Sequence, residues 1–193
     1  MSVWSGFWIG IYCRADMCPI FMGGNMEFKI RKEETKDFEQ VREVIRGAFP
    51  SDAESKLVGA LRANNKAIVS LVAFHEEQVL GHILFSPVST TPLSEARGIG
   101  LAPVVVHADV QMQGIGSQLI REGLRLCAEL KYDYCVVLGN PKYYQRFGFE
   151  KASKFGIQNE YEVDDEFMFM RLSERGGPYG LVKYAAEFSA FSV

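Results

Sequence analysis

The sequence predicts a mixed α/β fold, helices flanking a sheet, and three observations carry that expectation. Strand-like runs alternate with amphipathic helical runs along most of the chain. Two strands meet at the polar turn Glu76-Glu77-Gln78, the mark of a hairpin. Two further runs, 98–107 with its Val104-Val105-Val106 end and 133–138 (DYCVVL), are apolar enough to be buried on both faces. Helices between strands together with hairpins imply a mixed sheet, not a doubly wound parallel one.

In chain order, residues 27–32 alternate polar and apolar and read as a short strand. Thr35 can cap a helix whose apolar residues Phe38, Val41, Val44, Ile45, Ala48 and Phe49 form one stripe, ended by Pro50. Ser51-Asp52-Ala53-Glu54 has the form of a capping box, opening a second helix that stops at Asn64-Asn65. Residues 67–75 and 79–88 are the hairpin strands, and 89–97 reads as a polar loop. After the strand at 98–107 and a glycine-bearing turn at 111–116, a helix is expected to about Lys131. The strand 133–138 leads to a short helix that Pro141 can open at its first position. Strands at 166–172 and 180–184 complete the pattern.

Composition removes several function classes. Of 193 residues, 48% are hydrophobic and 23% charged, which argues for one globular core and against disorder. Net charge is −3, from 21 basic and 24 acidic residues, with no basic run to grip nucleic acid. The four cysteines, Cys13, Cys18, Cys127 and Cys135, form no CxxC pair and are too few for a disulfide scaffold; they fit a reducing cytosol, and no metal site is expected. Residues 1–25 carry only Arg14 and Asp16 as charges and lack the basic start of a secretory signal. Their apolar stretch is too short to span a bilayer. They are expected to be an extension from an upstream start, the alternative being a membrane or partner anchor, with the domain occupying 26–193 in a cytoplasmic protein.

The most informative segment is VVVHADVQMQGIG, residues 104–116. A buried strand, a turn rich in free amides and a helix start make an anion site, since amides and helix dipole both favour negative charge. Gly114 and Gly116 lack Cβ atoms and let a phosphate approach the backbone closely. No Gly-Lys-Ser/Thr follows, so this is not a Walker loop, and Leu119 stands where GxGxxG needs glycine.

Gln111-x-x-Gly114-x-Gly116 after a valine-rich strand resembles the acetyl-CoA-binding motif of the GNAT superfamily of N-acetyltransferases. A second match follows in order: Tyr144-x-x-x-Gly148-Phe149 is similar to that family's Tyr-x-x-x-Gly-Phe signature. The run from Leu138 to Phe149 and the tail 180–188 are most similar to the bacterial YhbS-like branch. The resemblance covers about residues 26–193. It implies a mixed, mostly antiparallel sheet splayed between two parallel strands, here those ending near Val106 and Leu138, with the pantetheine arm in the gap.

Carried over, the backbone of Val104, Val105 and Val106 would bind that arm like an added strand, near a β-bulge that frees an amide for the thioester carbonyl. Amides of Met112, Gln113, Gly114, Ile115, Gly116 and Ser117 would hold the pyrophosphate. The side chain of Gln111 either joins them or caps the turn. Tyr144 would stand beside the sulfur and protonate the leaving thiolate, or else pack as a core aromatic. Asn140, closer to the tyrosine than in many relatives, would be a coenzyme contact, and Arg121, Lys142 and Arg146 would meet the 3′-phosphate. No general base stands out, because 98–106 holds no acid, and His82, His107, Glu76 and Glu77 read as core or surface residues. The expected activity is direct acetyl transfer from acetyl-CoA to an unidentified amine. The rival is a silent acyl-CoA-binding module of the same fold. No nucleic acid or membrane partner is expected, and a homodimer is among the open assembly states.

Overall fold

The computed structural model describes residues 27–175 and 177–190. The expected extension at 1–25 lies outside them.

Strand β1 (Lys29–Lys32) is followed by a 3-10 turn (Thr35–Asp37), helix α1 (Phe38–Ala48) and helix α2 (Ala53–Ala63). Then come β2 (Val69–His75), β3 (Gln78–Thr91) and β4 (Gly98–Val106). Helix α3 (Ile115–Glu129) connects β4 to β5 (Tyr134–Leu138), and the single-turn helix α4 (Pro141–Tyr144) follows. The remainder is β6 (Glu150–Lys151), β7 (Ile157–Asn159), β8 (Phe167–Arg171), β9 (Gly180–Lys183) and α5 (Glu187–Ala190). The main sheet runs β1-β2-β3-β4-β5-β8-β6, and β9 pairs with both β3 and β7. Within the main sheet the β4–β5 pair is parallel and every other pair antiparallel. The expected mixed, mostly antiparallel sheet is present.

Several local expectations change. The first helix begins in a 3-10 turn, where Glu34 and Asp37 cap each other, so Thr35 is not the cap. Ser51 stands one residue too early for a capping box; its hydroxyl accepts from the Ala53 amide at 3.2 Å and donates to Glu54. Residues 89–91, expected in a loop, extend β3 and pair with β9. That polar triplet forms a strand because its partner supplies the ladder from across the chain.

Helices α1 and α2 cover one face of the sheet and α3 the other. On the α3 side, Val104 and Val106 pack with Ile115, Leu119, Cys135 and Tyr144. On the opposite side, Ala102 and Val105 pack with Val44, Leu61, Tyr134 and Tyr184. All nine residues of β4 are buried.

Pairing between β4 and β5 runs from Gly98↔Tyr134 to Leu101↔Val137 and stops there, although β4 continues to Val106. At the same level the β3–β4 register slips. Ile83↔Val104 and Phe85↔Leu101 set two steps on β3 against three on β4, which is a β-bulge on β4. Parting and bulge together leave the end of β4 paired only to β3.

Candidate functional site

The end of β4 leads directly into the glycine-bearing turn. A 3-10 turn (Ala108–Val110) precedes Gln111, and Gly114 caps α3 at φ +84°, a left-handed conformation that suits glycine. Met112 is also left-handed, at φ +64°, and is 91% exposed. A Cβ at Gly114 would meet nothing within 4 Å, so the space outside this turn is open. The Gln118 amide bonds the Gly114 carbonyl at 3.0 Å, beginning the helical ladder. The amides from Gly114 to Ser117 precede that first bond and have no intrahelical acceptor. Together with the helix dipole they form a positive concavity facing solvent.

Gln111 takes the turn-capping position, its Nε2 donating to the Val106 carbonyl at 3.2 Å. Ile115 and Gly116 are buried and anchor the helix start, while Gln113 and Ser117 are half-buried beside it. The Ser117 side chain acts on the Tyr143 hydroxyl, so α4 lies close to the first turn of α3. The two family motifs, separate in sequence, therefore sit on one mouth.

At the start of α4, Asn140 is exposed and its Oδ1 accepts from the Lys142 amide at 3.0 Å. Gly148, at φ +94°, closes the following 3-10 turn. Between them Tyr144 points inward, with Phe149 edge-on to its ring at 5.7 Å and Tyr143 at 5.3 Å. It is fully buried, and its hydroxyl has no hydrogen-bond partner among the described residues. Burial, with the neighbouring Tyr143 and Cys135, pushes its pKa well up, so the hydroxyl stays a proton donor. Arg121 and Arg146 both lie against the Phe147 ring, at 5.3 and 5.6 Å, bringing two of the three expected cations together.

The histidines are otherwise occupied. His82 on β3 is fully buried and its Nε2 lies 2.9 Å from the Ser70 hydroxyl. That hydroxyl donates to Glu33, which also pairs with Arg62. Burial, reinforced by the Arg62 charge, pushes the His82 pKa down to about 3 and holds the ring neutral. This set ties α2, β2 and β3 to the end of β1; Glu33, Ser70 and Arg62 are spread along the chain without local pattern and escape sequence reading. His107 accepts from the Asp109 amide at 3.4 Å at the rim of the turn. A groove of about 140 Å³ beside it, bordered by Gln40, Glu43 and Gln78, lies between α1 and the end of β4. Sequence reading also missed Tyr184, whose buried hydroxyl is unpartnered among the described residues and has no motif around it.

Among the described residues no cluster of metal-ligating side chains occurs, and no helix is long and apolar enough to cross a membrane.

Comparison with known proteins converges on this arrangement. Residues 66–151 match the model of the family described as "Acetyltransferase (GNAT) domain". The chain is 36% identical over 166 residues to the uncharacterized N-acetyltransferase YhbS of Escherichia coli K12, covering 84% of this chain and 99% of that protein. A crystal structure of E. coli YhbS in complex with CoA superposes with a TM-score of 0.82 at 34% identity, covering 89% of this chain and 97% of the other. A Brucella melitensis GNAT family acetyltransferase in complex with acetyl-CoA gives a TM-score of 0.71 at 36% identity, covering 84% of this chain and 99% of that one.

Proposed function

The chain belongs to the GNAT family of acetyltransferases, and on that premise we propose that it is an N-acetyltransferase that passes an acetyl group directly from acetyl-CoA to an amine in the cytoplasm. The observation that carries this reading is the parting of β4 from β5 beside a turn of free amides, with the Tyr144 hydroxyl buried and unpartnered within the same core cluster.

In this reading the amides from Met112 to Ser117 hold the pyrophosphate, and the backbone of Val104, Val105 and Val106 receives the pantetheine arm where β5 no longer pairs. The bulge turns the Val104 amide toward the thioester carbonyl, where it stabilises the developing oxyanion. Asn140 adds a contact through the amide end that its cap leaves over, and Arg121 with Arg146 meets the 3′-phosphate. The turn-capping bond of Gln111 holds the strand end and the amides in register.

The amine nitrogen attacks the thioester carbon, so a C–N bond forms while the C–S bond breaks and its electron pair leaves on sulfur. Tyr144 gives its hydroxyl proton to that thiolate. The proton shed by nitrogen returns to the tyrosine through solvent, since neither β4 nor the neutral His82 supplies a base. No covalent enzyme intermediate is needed, because both substrates are held together.

The test is release of free CoA thiol from acetyl-CoA across a panel of amines, with mass spectrometry of the product. An acetylated amine supports the reading. Tight acetyl-CoA binding with no product from any amine would favour a silent binding module.

A further inference from the structure

Between helix α1, the start of β3 and the end of β4 the fold leaves a groove of about 140 Å³, which the acetyl-transfer reading does not use. That is well below the roughly 300–1,000 Å³ of sites for drug-sized ligands, so it suits a small headgroup. Val44 and Val79 give it apolar walls. Gln40, also on its border, pins α1 to the turn between β2 and β3. Its Oε1 accepts from the Val79 amide at 2.9 Å and its Nε2 donates to the Glu77 carbonyl at 3.1 Å.

The charge in this groove is negative and unanswered. On α1, Arg42 pairs with Glu39 at 3.6 Å and Arg46 with Asp52 at 2.8 Å. Glu43, which lines the groove, has no ion pair or hydrogen bond among the described residues. The helix end adds to its charge. The Phe49 amide bonds the Ile45 carbonyl at 3.0 Å, and the next residue, Pro50, has no N–H for the Arg46 carbonyl. The last carbonyls of α1 thus lack helical donors, and this end of the helix dipole favours a cation.

A second observation concerns the space itself. Gly47 lines the groove in the last turn of α1, where glycine is a poorer helix former than alanine. A Cβ there would meet nothing within 4 Å, so packing does not call for glycine. What its missing side chain spares is the groove. His107 lines it too, and the same ring accepts from the Asp109 amide at 3.4 Å, in the 3-10 turn that leads to Gln111. The groove therefore shares a residue with the segment that carries the free amides.

We propose that this groove is an effector site for a small alkylguanidinium, and that filling it tightens coenzyme binding. A flat guanidinium can meet the Glu43 carboxylate through two parallel hydrogen bonds while its faces rest on Val44 and Val79. It keeps further N–H groups for the last carbonyls of α1. The bound cation adds positive charge beside the turn and holds His107 in place, and both favour a pyrophosphate there. The coupling, not the site, rests on the acetyltransferase reading.

The experiment titrates ethylguanidine, and N-ethylurea as its neutral counterpart, into the full-length protein and follows amide shifts by NMR. Ethylguanidine is expected to bind about tenfold more tightly than the urea. Glu43→Gln should remove that margin. Gly47→Leu, whose side chain enters the open groove, should block both ligands in a folded protein. At constant ionic strength, saturating ethylguanidine should tighten acetyl-CoA binding about threefold, and acetyl-CoA should tighten ethylguanidine binding by the same factor. Equal affinity for the two ligands, or a preference that survives Glu43→Gln, overturns the site. Acetyl-CoA affinity unmoved by ethylguanidine overturns the effector role. Failure of acetyl-CoA to bind at all, with ethylguanidine still bound, overturns the acetyltransferase reading and leaves the site standing.

Discussion

Along β4, residues 98–101 and residues 102–106 are equally buried, yet they sit in different surroundings. The first half pairs with β3 on one side and β5 on the other, and its two glycines lie under tyrosine rings. It is also fastened at its base, where Asp133 accepts from the Arg97 amide at 2.8 Å and from Ser173 at 2.6 Å. The second half has lost β5 and carries a bulge. Burial does not separate scaffold from site in this strand; backbone pairing does. In the proposed reading, the coenzyme site lies where a buried strand has backbone groups to spare.

Four perturbations would sharpen or break that division. Gly114→Val acts just past the opened half. The left-handed φ and the open space beyond it mean that the side chain would fill the approach to the free amides. Acetyl-CoA affinity should fall by about a thousandfold, the loss of two or three charge-assisted hydrogen bonds. Calorimetry on a folded variant with unchanged affinity would remove the turn from the site.

Tyr144→Phe should lower kcat by about a hundredfold, the scale of losing a general acid. Coenzyme affinity should hold, because the hydroxyl acts mainly as charge develops on sulfur. Melting temperature should hold or rise, since an unpartnered buried hydroxyl is removed. Tyr143→Phe, which loses a hydroxyl that faces Ser117 and Arg146, is the near-silent control. Equal turnover for Tyr144→Phe and wild type would leave Tyr144 a packing residue.

Gly98→Ala belongs to the paired half. Its new methyl would fall 2.2 Å from the Tyr134 ring, so the variant should lose about 1–3 kcal/mol of stability. Its coenzyme affinity, if it folds, should match wild type. A reversed outcome, with binding lost and stability kept, would break the comparison between halves.

The smallest effect concerns pH. His82 has a folded pKa of about 3 against an ordinary 6.5, so between those values the unfolded chain binds a proton that the folded chain does not. Its stability is whole above 6.5 and is lost as pH falls, by up to about 2 kcal/mol between pH 7 and 5. Thermal melts over that range should slope less for His82→Gln. An identical slope would mean that the buried ring is not what titrates.

The same division explains what was legible in the sequence. Strand β4 was readable because Gly98 opens it and His107 closes an unbroken apolar run. The turn after it and the inward tyrosine were readable because each depends on residues within a few positions of one another. Features assembled from distant parts were not. Residues 89–91 form a strand only because β9 lies beside them. The partners of His82 come from β2 and from the residue after β1, and Tyr184 reaches Gly100 from the far end of the chain. Local patterning records what a segment can do alone; burial of a polar group records who arrives.

One consequence of the parting concerns self-association. An unpaired strand edge usually sits at the rim of a sheet, where charge, proline or a bulge discourages a second chain from docking on it. Here the bulge and Pro103 stand on a central strand, at the point where its neighbour departs. The features that guard outer rims against aggregation guard this interior one, so the slot can stay open to a slender ligand while refusing another polypeptide strand.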